Sequence, residues 1–233
     1  MRSMRTIVAS VAVFLMAASA FGQLKKDDIE KLNDAAAVLT EIRNAPDKGI
    51  PDGIWSKAHC VVVIPSMKKV GFIVGGEHGS GVMSCRHGNT WGPPVFMELT
   101  KGSAGFQAGV SSTDLVLVVM NERGAEKLLN NKVTLGGDAS VAAGPVGRSA
   151  SAATDAQLSS EMLSYSRSKG LFAGIDLSGG SLNPDKSENE RAYGPNVRTR
   201  DIALGNAAVR VPPEMQTFTN ALGREVRATS GKR

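Results

Sequence analysis

No catalytic signature runs through this sequence: it has no G-x-S-x-G elbow, no Walker loop and no G-x-G-x-x-G turn. Nucleophile-elbow hydrolases, P-loop phosphotransferases and dinucleotide-dependent enzymes are set aside on that ground. Histidine is scarce, and His59, His78 and His87 all fall in one stretch. Glu77-His78-Gly79-Ser80 puts a carboxylate, an imidazole and a hydroxyl side by side, but neighbours in an extended chain point to opposite faces, so the run reads as a glycine-rich hairpin loop rather than a triad. No enzyme activity and no cofactor are expected.

Long apolar runs are also missing, save one at 6–17 that is too short to span a bilayer. It follows Arg2 and Arg5 and ends in Ala18-Ser19-Ala20, so residues 1–20 read as a secretory signal peptide cleaved after Ala20. The absence of a later apolar run argues against a spanning anchor, and the absence of a cysteine after it argues against lipoprotein-type acylation. The expected location is periplasmic or secreted. Losing two arginines and no acid takes the formal charge from +5 to +3. Such a mildly basic chain, without a recognition motif, gives no support to nucleic-acid binding.

Cysteine occurs twice, at Cys60 and Cys85. In an oxidising compartment a disulfide is the leading reading. Two buried thiols, or a metal site shared with His59 and His87, are the alternatives. Zinc is the weaker of these, because neither a Cys-x-x-Cys nor a His-x-x-x-His pair is present.

The sequence is rich instead in glycine and in short β-branched runs, and its length suits one domain at 24–223 followed by a polar, basic, disordered tail at 224–233. Segment 25–43 reads as an amphipathic helix with Ile29, Leu32, Ala36 and Leu39 on one face and Asp27 and Glu30 at capping-box spacing. Its polar face is acidic, which favours packing on its own domain over lying on anionic lipid. Segment 51–57 suggests a short helix anchored by Trp55. Candidate strands follow at 60–64, 70–74, 81–85, 95–99, 105–110 and 115–120, with residues 65–69 as the first hairpin connection and Lys68 and Lys69 at its tip. Segment 122–129 has a helical pattern, and 213–222 suits a helix stopped by Gly223. The expected fold is α+β: an antiparallel β-barrel or sandwich-like core with an N-terminal amphipathic helix, a mid-chain helix and a C-terminal helix.

Between Gly136 and Ala156 nearly every side chain is small, so backbones approach closely there or wall a space filled by something else. Gly144-Pro145-Val146-Gly147 reads as a tight turn, and Gly170 interrupts a later strand pattern. Leu163, Tyr165, Arg167 and Lys169 share one face of that strand, with serines on the other. Beyond Gly170, Leu171, Ala173, Ile175 and Leu177 alternate with Phe172, Gly174 and Asp176, as a strand with one buried face would.

The series TLGGDASVAAGPVGRSASAATD, YSRSKGLFAGIDLSG and RAYG, with CVVVIPSMKKVGFIVGGEHGSGVMSCR, GSAGFQAG and STDLVLVVMNERG upstream, resembles the SYLF domain in its secreted bacterial members. The resemblance covers nearly all of the chain after the signal peptide and implies a lipid-binding module. Eukaryotic members are associated with phosphoinositide-containing membranes and some with actin, a partner that a secreted chain would not meet. A phospholipid or anionic membrane surface is the expected partner. Lys68, Lys69, Arg148, Arg167 and Lys169 are the cations that such head groups would meet, and each has a bland structural alternative, for Arg148 or Arg167 an ion pair with a carboxylate such as Asp138, Asp155 or Asp176. An envelope structural or protein-interaction module without lipid binding is the rival reading. An enzyme acting on envelope lipid ranks third.

Overall fold

The computed structural model describes residues 23–44, 49–71, 74–104, 109–130, 132–147, 159–168 and 171–230. Helices α1 (Lys26–Arg43) and α2 (Asp52–Lys57) lead into strands β1 (Cys60–Gly71), β2 (Val74–His87), β3 (Thr90–Trp91), β4 (Val95–Ala104) and β5 (Gly109–Val119). Helix α3 (Glu122–Asn130) precedes β6 (Val133–Thr134), β7 (Val141–Ala143), β8 (Met162–Ser168), β9 (Leu171–Gly174) and β10 (Ser181–Pro184). The described chain closes with α4 (Lys186–Tyr193), α5 (Thr199–Ala203), a 3-10 turn (Pro213–Met215) and α6 (Gln216–Ser230).

One sheet runs in the order β6-β10-β4-β2-β1-β5-β8-β7, with β3 added to β2 and β9 to β8. Its pairings are antiparallel except for β7 with β8. The two end strands β6 and β7 are separated in the chain only by residues 135–140, where Leu135 and Ala139 form a bridge. A connection that short forces the sheet to curl until its ends approach, giving a partly closed barrel in a mixed α+β fold.

Both faces of the sheet are buried. One carries Val61, Val63, Phe96, Val116, Val118 and Leu163 and is covered by Leu32 and Leu39 of α1, Trp55 of α2 and Phe218 of α6. The other carries Val62, Ile64, Met83, Met97, Leu115 and Leu117 with Leu128 of α3 and Ile202 of α5. This second cluster includes Val133 and Leu135 at one end and Ala139 at the other, so it is the inside of the curl. Strands buried on both faces need no polar alternation, which is why VVVI and LVLVV are unbroken apolar runs.

The expected six short strands at the start of the sheet are four long ones. Residues 65–69 are not a hairpin but an irregularity inside β1, whose register slips between Ile64 and Met67 against β5. Ser66 adopts a φ of 52° there, and its N–H donates to Asp114 at 2.9 Å. Lys68 and Lys69 therefore lie within a strand. Gly79, read as part of a hairpin loop, and Gly81, read as the start of a strand, both serve this irregularity: a methyl group at Gly79 would sit 2.5 Å from Ile64 Cγ2, and one at Gly81 would overlap the Val63 carbonyl. Of the expected strand at 105–110, residues 105–108 lie outside the described residues and Gly109 begins β5.

Two further expectations are corrected at the far end. In β9 Phe172 is the buried residue and Leu171 is 56% exposed, because pairing with β8 sets Phe172 opposite Arg167. Gly223 does not stop the last helix: α6 continues to Ser230, so 224–230 are helical rather than disordered, and 231–233 lie outside the described residues. The proposed signal peptide, 1–20, also lies outside them. Among the described residues no helix is long and apolar enough to cross a membrane.

Candidate functional site

The distal half of β1 brings Lys68 and Lys69 into two cross-strand rows. Lys68 stands opposite His78 of β2, which stands opposite Thr100 of β4, which stands opposite Ser181 of β10. One residue along, Lys69 stands opposite Glu77, and Glu77 opposite Lys101. Directly opposed residues share a sheet face and neighbours along the strand do not. Lys69 pairs with Glu77 at 3.3 Å, while His78 Nδ1 lies 3.5 Å from Glu98. The Glu77-His78-Gly79-Ser80 run thus splits between the two faces.

A cleft of about 690 Å³ opens over this corner, lined by Lys68, Glu77, His78, Thr100, Lys101 and Ser181. Gly76, Gly102 and Gly179 also line it, and a methyl group at Gly76 or Gly102 would meet nothing within 4 Å, so backbone is left accessible where packing does not demand glycine. Lys68 is exposed and has no ion pair among the described residues. Lys101 donates to the Asp176 carbonyl at 2.9 Å, which fixes its ammonium at the rim. The Ser181 hydroxyl is buried without a hydrogen-bond partner among the described residues. The corner therefore offers cations and hydroxyl donors, and its one lining carboxylate is already engaged by Lys69.

The other proposed cations do not join it. Arg167 donates to Asp114 at 2.9 Å, pairs with Glu41 of α1 and lies 5.9 Å from the centre of the Phe172 ring. Two carboxylates neutralise it, neither being among the partners weighed from sequence. Arg148 and Lys169, like Gly170, lie outside the described residues. Lys101 was missed, since only strand register brings it opposite Glu77, the partner of Lys69, and nothing in its local sequence marks it.

The described part of the small-residue tract is packed rather than open. A methyl group at Gly144 would overlap the Tyr165 ring, and one at Gly174 would overlap the Gly144 carbonyl. Gly147 has a φ of 63° and donates its N–H to Gly49 at 3.0 Å. The buried Ser164 hydroxyl lies 3.1 Å from the Ala142 carbonyl and 2.5 Å from that of Ile175, fastening the tract to β8. The RAYG residues are structural too. Arg191 holds the buried Asp28 of α1 at 3.2 Å, and Tyr193 donates to the Pro94 carbonyl, its phenol pushed far up by burial. With Lys31 bonded to Glu188 at 2.5 Å, α1 is fastened to its own domain. Its N-terminal bond runs from the Lys25 N–H to Asp28, not between Asp27 and Glu30 as spacing suggested.

Cys60 and Cys85 are opposite one another in β1 and β2, both buried, and their sulfurs are bonded at 2.10 Å. His87 Nε2 instead meets the Ala203 carbonyl at 2.8 Å, and no group of three or more metal-ligating side chains occurs among the described residues.

The geometry is that of a packed scaffold with a polar corner, and comparison with known proteins places it. The family model described as "Ysc84: Las17-binding protein actin regulator" matches residues 100–225, from β4 into α6. The chain belongs to the Ysc84/SYLF family. It is 34% identical over 185 residues to "SH3 domain-containing YSC84-like protein 1" of Rattus norvegicus, covering 78% of this chain and 54% of the relative. It is 36% identical over 171 residues to "Protein YSC84" of Saccharomyces cerevisiae, covering 72% of this chain and 36% of that protein. "LAS seventeen-binding protein 3" of the same species is 34% identical over 181 residues, 76% of this chain and 39% of its own length. The chain thus spans about half the length, or less, of the curated relatives it matches. These Ysc84/SYLF relatives are named for binding and for sequence kinship rather than for a reaction.

Proposed function

We propose that this chain is a non-catalytic module of the cell envelope or secreted fraction that docks on anionic phospholipid head groups at its surface. The observation that carries this reading is Lys68: an exposed ammonium, without an ion pair among the described residues, lining one cleft with Lys101 and the hydroxyls of Thr100 and Ser181, where Gly76 and Gly102 leave backbone bare. The filled interior of the curl supports contact at the surface over enclosure of an acyl chain, since Val62, Ile64, Met97 and Leu117 there are all fully buried. The leader-like 1–20 stretch and the Cys60–Cys85 bond support an oxidising compartment outside the cytoplasm.

A lysine near a charged bilayer contributes on the order of 1 kcal/mol, so removing two should weaken binding by roughly tenfold or more. Lys68→Gln with Lys101→Gln is the apt pair, because Lys69→Gln would free the Glu77 carboxylate. In co-sedimentation with phosphatidylcholine vesicles, with and without phosphatidylglycerol, binding should require the anionic lipid, fall with salt and fall in the double variant. Binding indifferent to lipid charge, salt and both lysines would end this reading. The relatives' names favour a second one, a protein-interaction module; it gains if vesicles fail while a purified partner protein is retained.

A further inference from the structure

A second cleft lies on the far side of β10, and it shares no residue with the lysine corner except that both draw on that strand. Strand β10 pairs with β4 along Ser181–Pro184 but with β6 only at Ser181 and Leu182, because the chain preceding β6 comes from α3. The flank of Asn183 and Pro184 is left open there. A cleft of about 690 Å³ fills the gap between the end of α3, β10, α4 and the connection into α5. That volume suits a small molecule.

Its polar lining is mostly amide and cationic; the carboxylate in it, Glu190, lies 3.7 Å from the Lys186 ammonium, and Leu129, Pro184, Pro195 and Val197 add apolar surface. Asn130, Asn183 and Asn196 supply side-chain amides, each able to donate and to accept. Around them stand Lys132, Arg198 and Arg200. Lys132 has no ion pair among the described residues. Arg198 is held through Nε by Asp201 at 2.7 Å, and Arg200 through one terminal nitrogen by Glu126 at 2.6 Å. Each guanidinium is thereby oriented while keeping N–H donors free for a carboxylate or phosphate.

An added peptide strand is the less suitable occupant. The Asp185 N–H donates to the Phe96 carbonyl of β4, so by alternation the nitrogen of Pro184 faces the open side, where it has no hydrogen to offer. Proline at such a place opposes strand pairing. Amides matched to hydroxyls, cations matched to one anionic group and a compact volume fit a small hydroxylated anion instead.

We propose that this cleft binds a polyhydroxylated anion, the chemistry shared by acidic sugars and sugar phosphates. The test is a titration of the 15N-labelled chain, followed by side-chain amide shifts, with glucuronate, glucose 6-phosphate and neutral glucose as probes. Saturable shifts at Asn130, Asn183 and Asn196 are expected with one or both anions, at least about tenfold weaker with glucose. The tighter anion tells carboxylate from phosphate. Lys132→Gln with Arg198→Gln should weaken the anion by about tenfold at unchanged thermal midpoint. If that pair destabilises the fold, Asn196→Ala replaces it and should have the same effect on binding. The proposal is overturned if those amides stay still up to about 20 mM of both anions, a concentration beyond any useful affinity. It is equally overturned if the three probes act alike, or if the variants bind as the parent does. Vesicle binding should be unchanged in all of them, which keeps this cleft separate from the lysine corner.

Discussion

Tyr165 is buried with a hydroxyl that has no hydrogen-bond partner among the described residues, and Gly144 makes room for its ring. Burial pushes the phenol well above its ordinary range, so it stays neutral and brings its unpaired hydroxyl into the core. Gly144→Ala should cost about 1–3 kcal/mol by overpacking. Tyr165→Phe should be neutral or stabilising by up to about 1 kcal/mol, because it removes an unsatisfied polar group. Urea denaturation of both variants checks the pair, and a large loss in Tyr165→Phe would mean that the hydroxyl has a partner. At Gly147 the positive φ adds about 1 kcal/mol of strain to any larger residue. The turn at Gly147 was legible in the sequence because Gly-Pro-Val-Gly is local chemistry. The ring packed on Gly144 was not, since it comes from another strand.

At the scale of elements, helices α1, α2, α3 and α6 were legible because apolar spacing is a local signal, and their errors lie at the ends. The strands were misread for a physical reason. Gly79 looks like a turn residue and Gly81 like the start of a new strand, but both relieve a close approach of β1, a contact between segments that no single segment displays. Helix α4 carries little apolar signal because it exists to hold α1: Arg191 reaches Asp28, and Glu188 reaches Lys31. Asp28 is 1% exposed, so a carboxylate there without Arg191 is a buried charge missing its main partner. Arg191→Met should therefore destabilise by about 3 kcal/mol, whereas Asp28→Asn combined with Arg191→Met should recover part of that loss. Chemical denaturation of the two singles and the double measures the coupling. Additive losses would mean that α1 is held by its apolar face alone. The disulfide belongs to this scale too: joining β1 to β2 across 25 residues of sequence, it should contribute about 3 kcal/mol, lost in Cys60→Ser with Cys85→Ser. The masses of non-reduced peptides would report the bond directly.

For the molecule as a whole, the curl of the sheet is the feature that sequence could not convey. It depends on β6 and β7 being neighbours in the chain yet opposite ends of the strand order, and the lysine corner and the sugar-sized cleft both lie where strand register brings distant segments together. Glu161 ties the place where those ends meet. Its carboxylate accepts from Lys127 of α3 at 2.9 Å and from the Ser140 N–H at 3.0 Å, while its own N–H donates to the Ser140 hydroxyl at 2.9 Å. Its carbonyl accepts from Met120 at the end of β5. Burial alone would raise its pKa, but those bonds and the charges of Lys127 and Arg123 outweigh burial and hold it below the ordinary glutamate value. A carboxyl depressed by folding stabilises the fold fully above its unfolded pKa, and that contribution is lost as pH falls through the lower folded value. The window therefore opens near the ordinary glutamate pKa of about 4.3 and extends downward. Glu161→Gln should cost about 2 kcal/mol at neutral pH, the worth of hydrogen bonds to a charged group. It should also remove part of the acid dependence, so that variant and parent converge between about pH 5 and pH 3. Urea midpoints followed at each pH make the comparison, with the parent-minus-variant difference cancelling Asp138 and Asp176, whose pKa values are also depressed. A difference that stays constant down to the lowest pH would show that Glu161 contributes shape and not charge to closing the sheet.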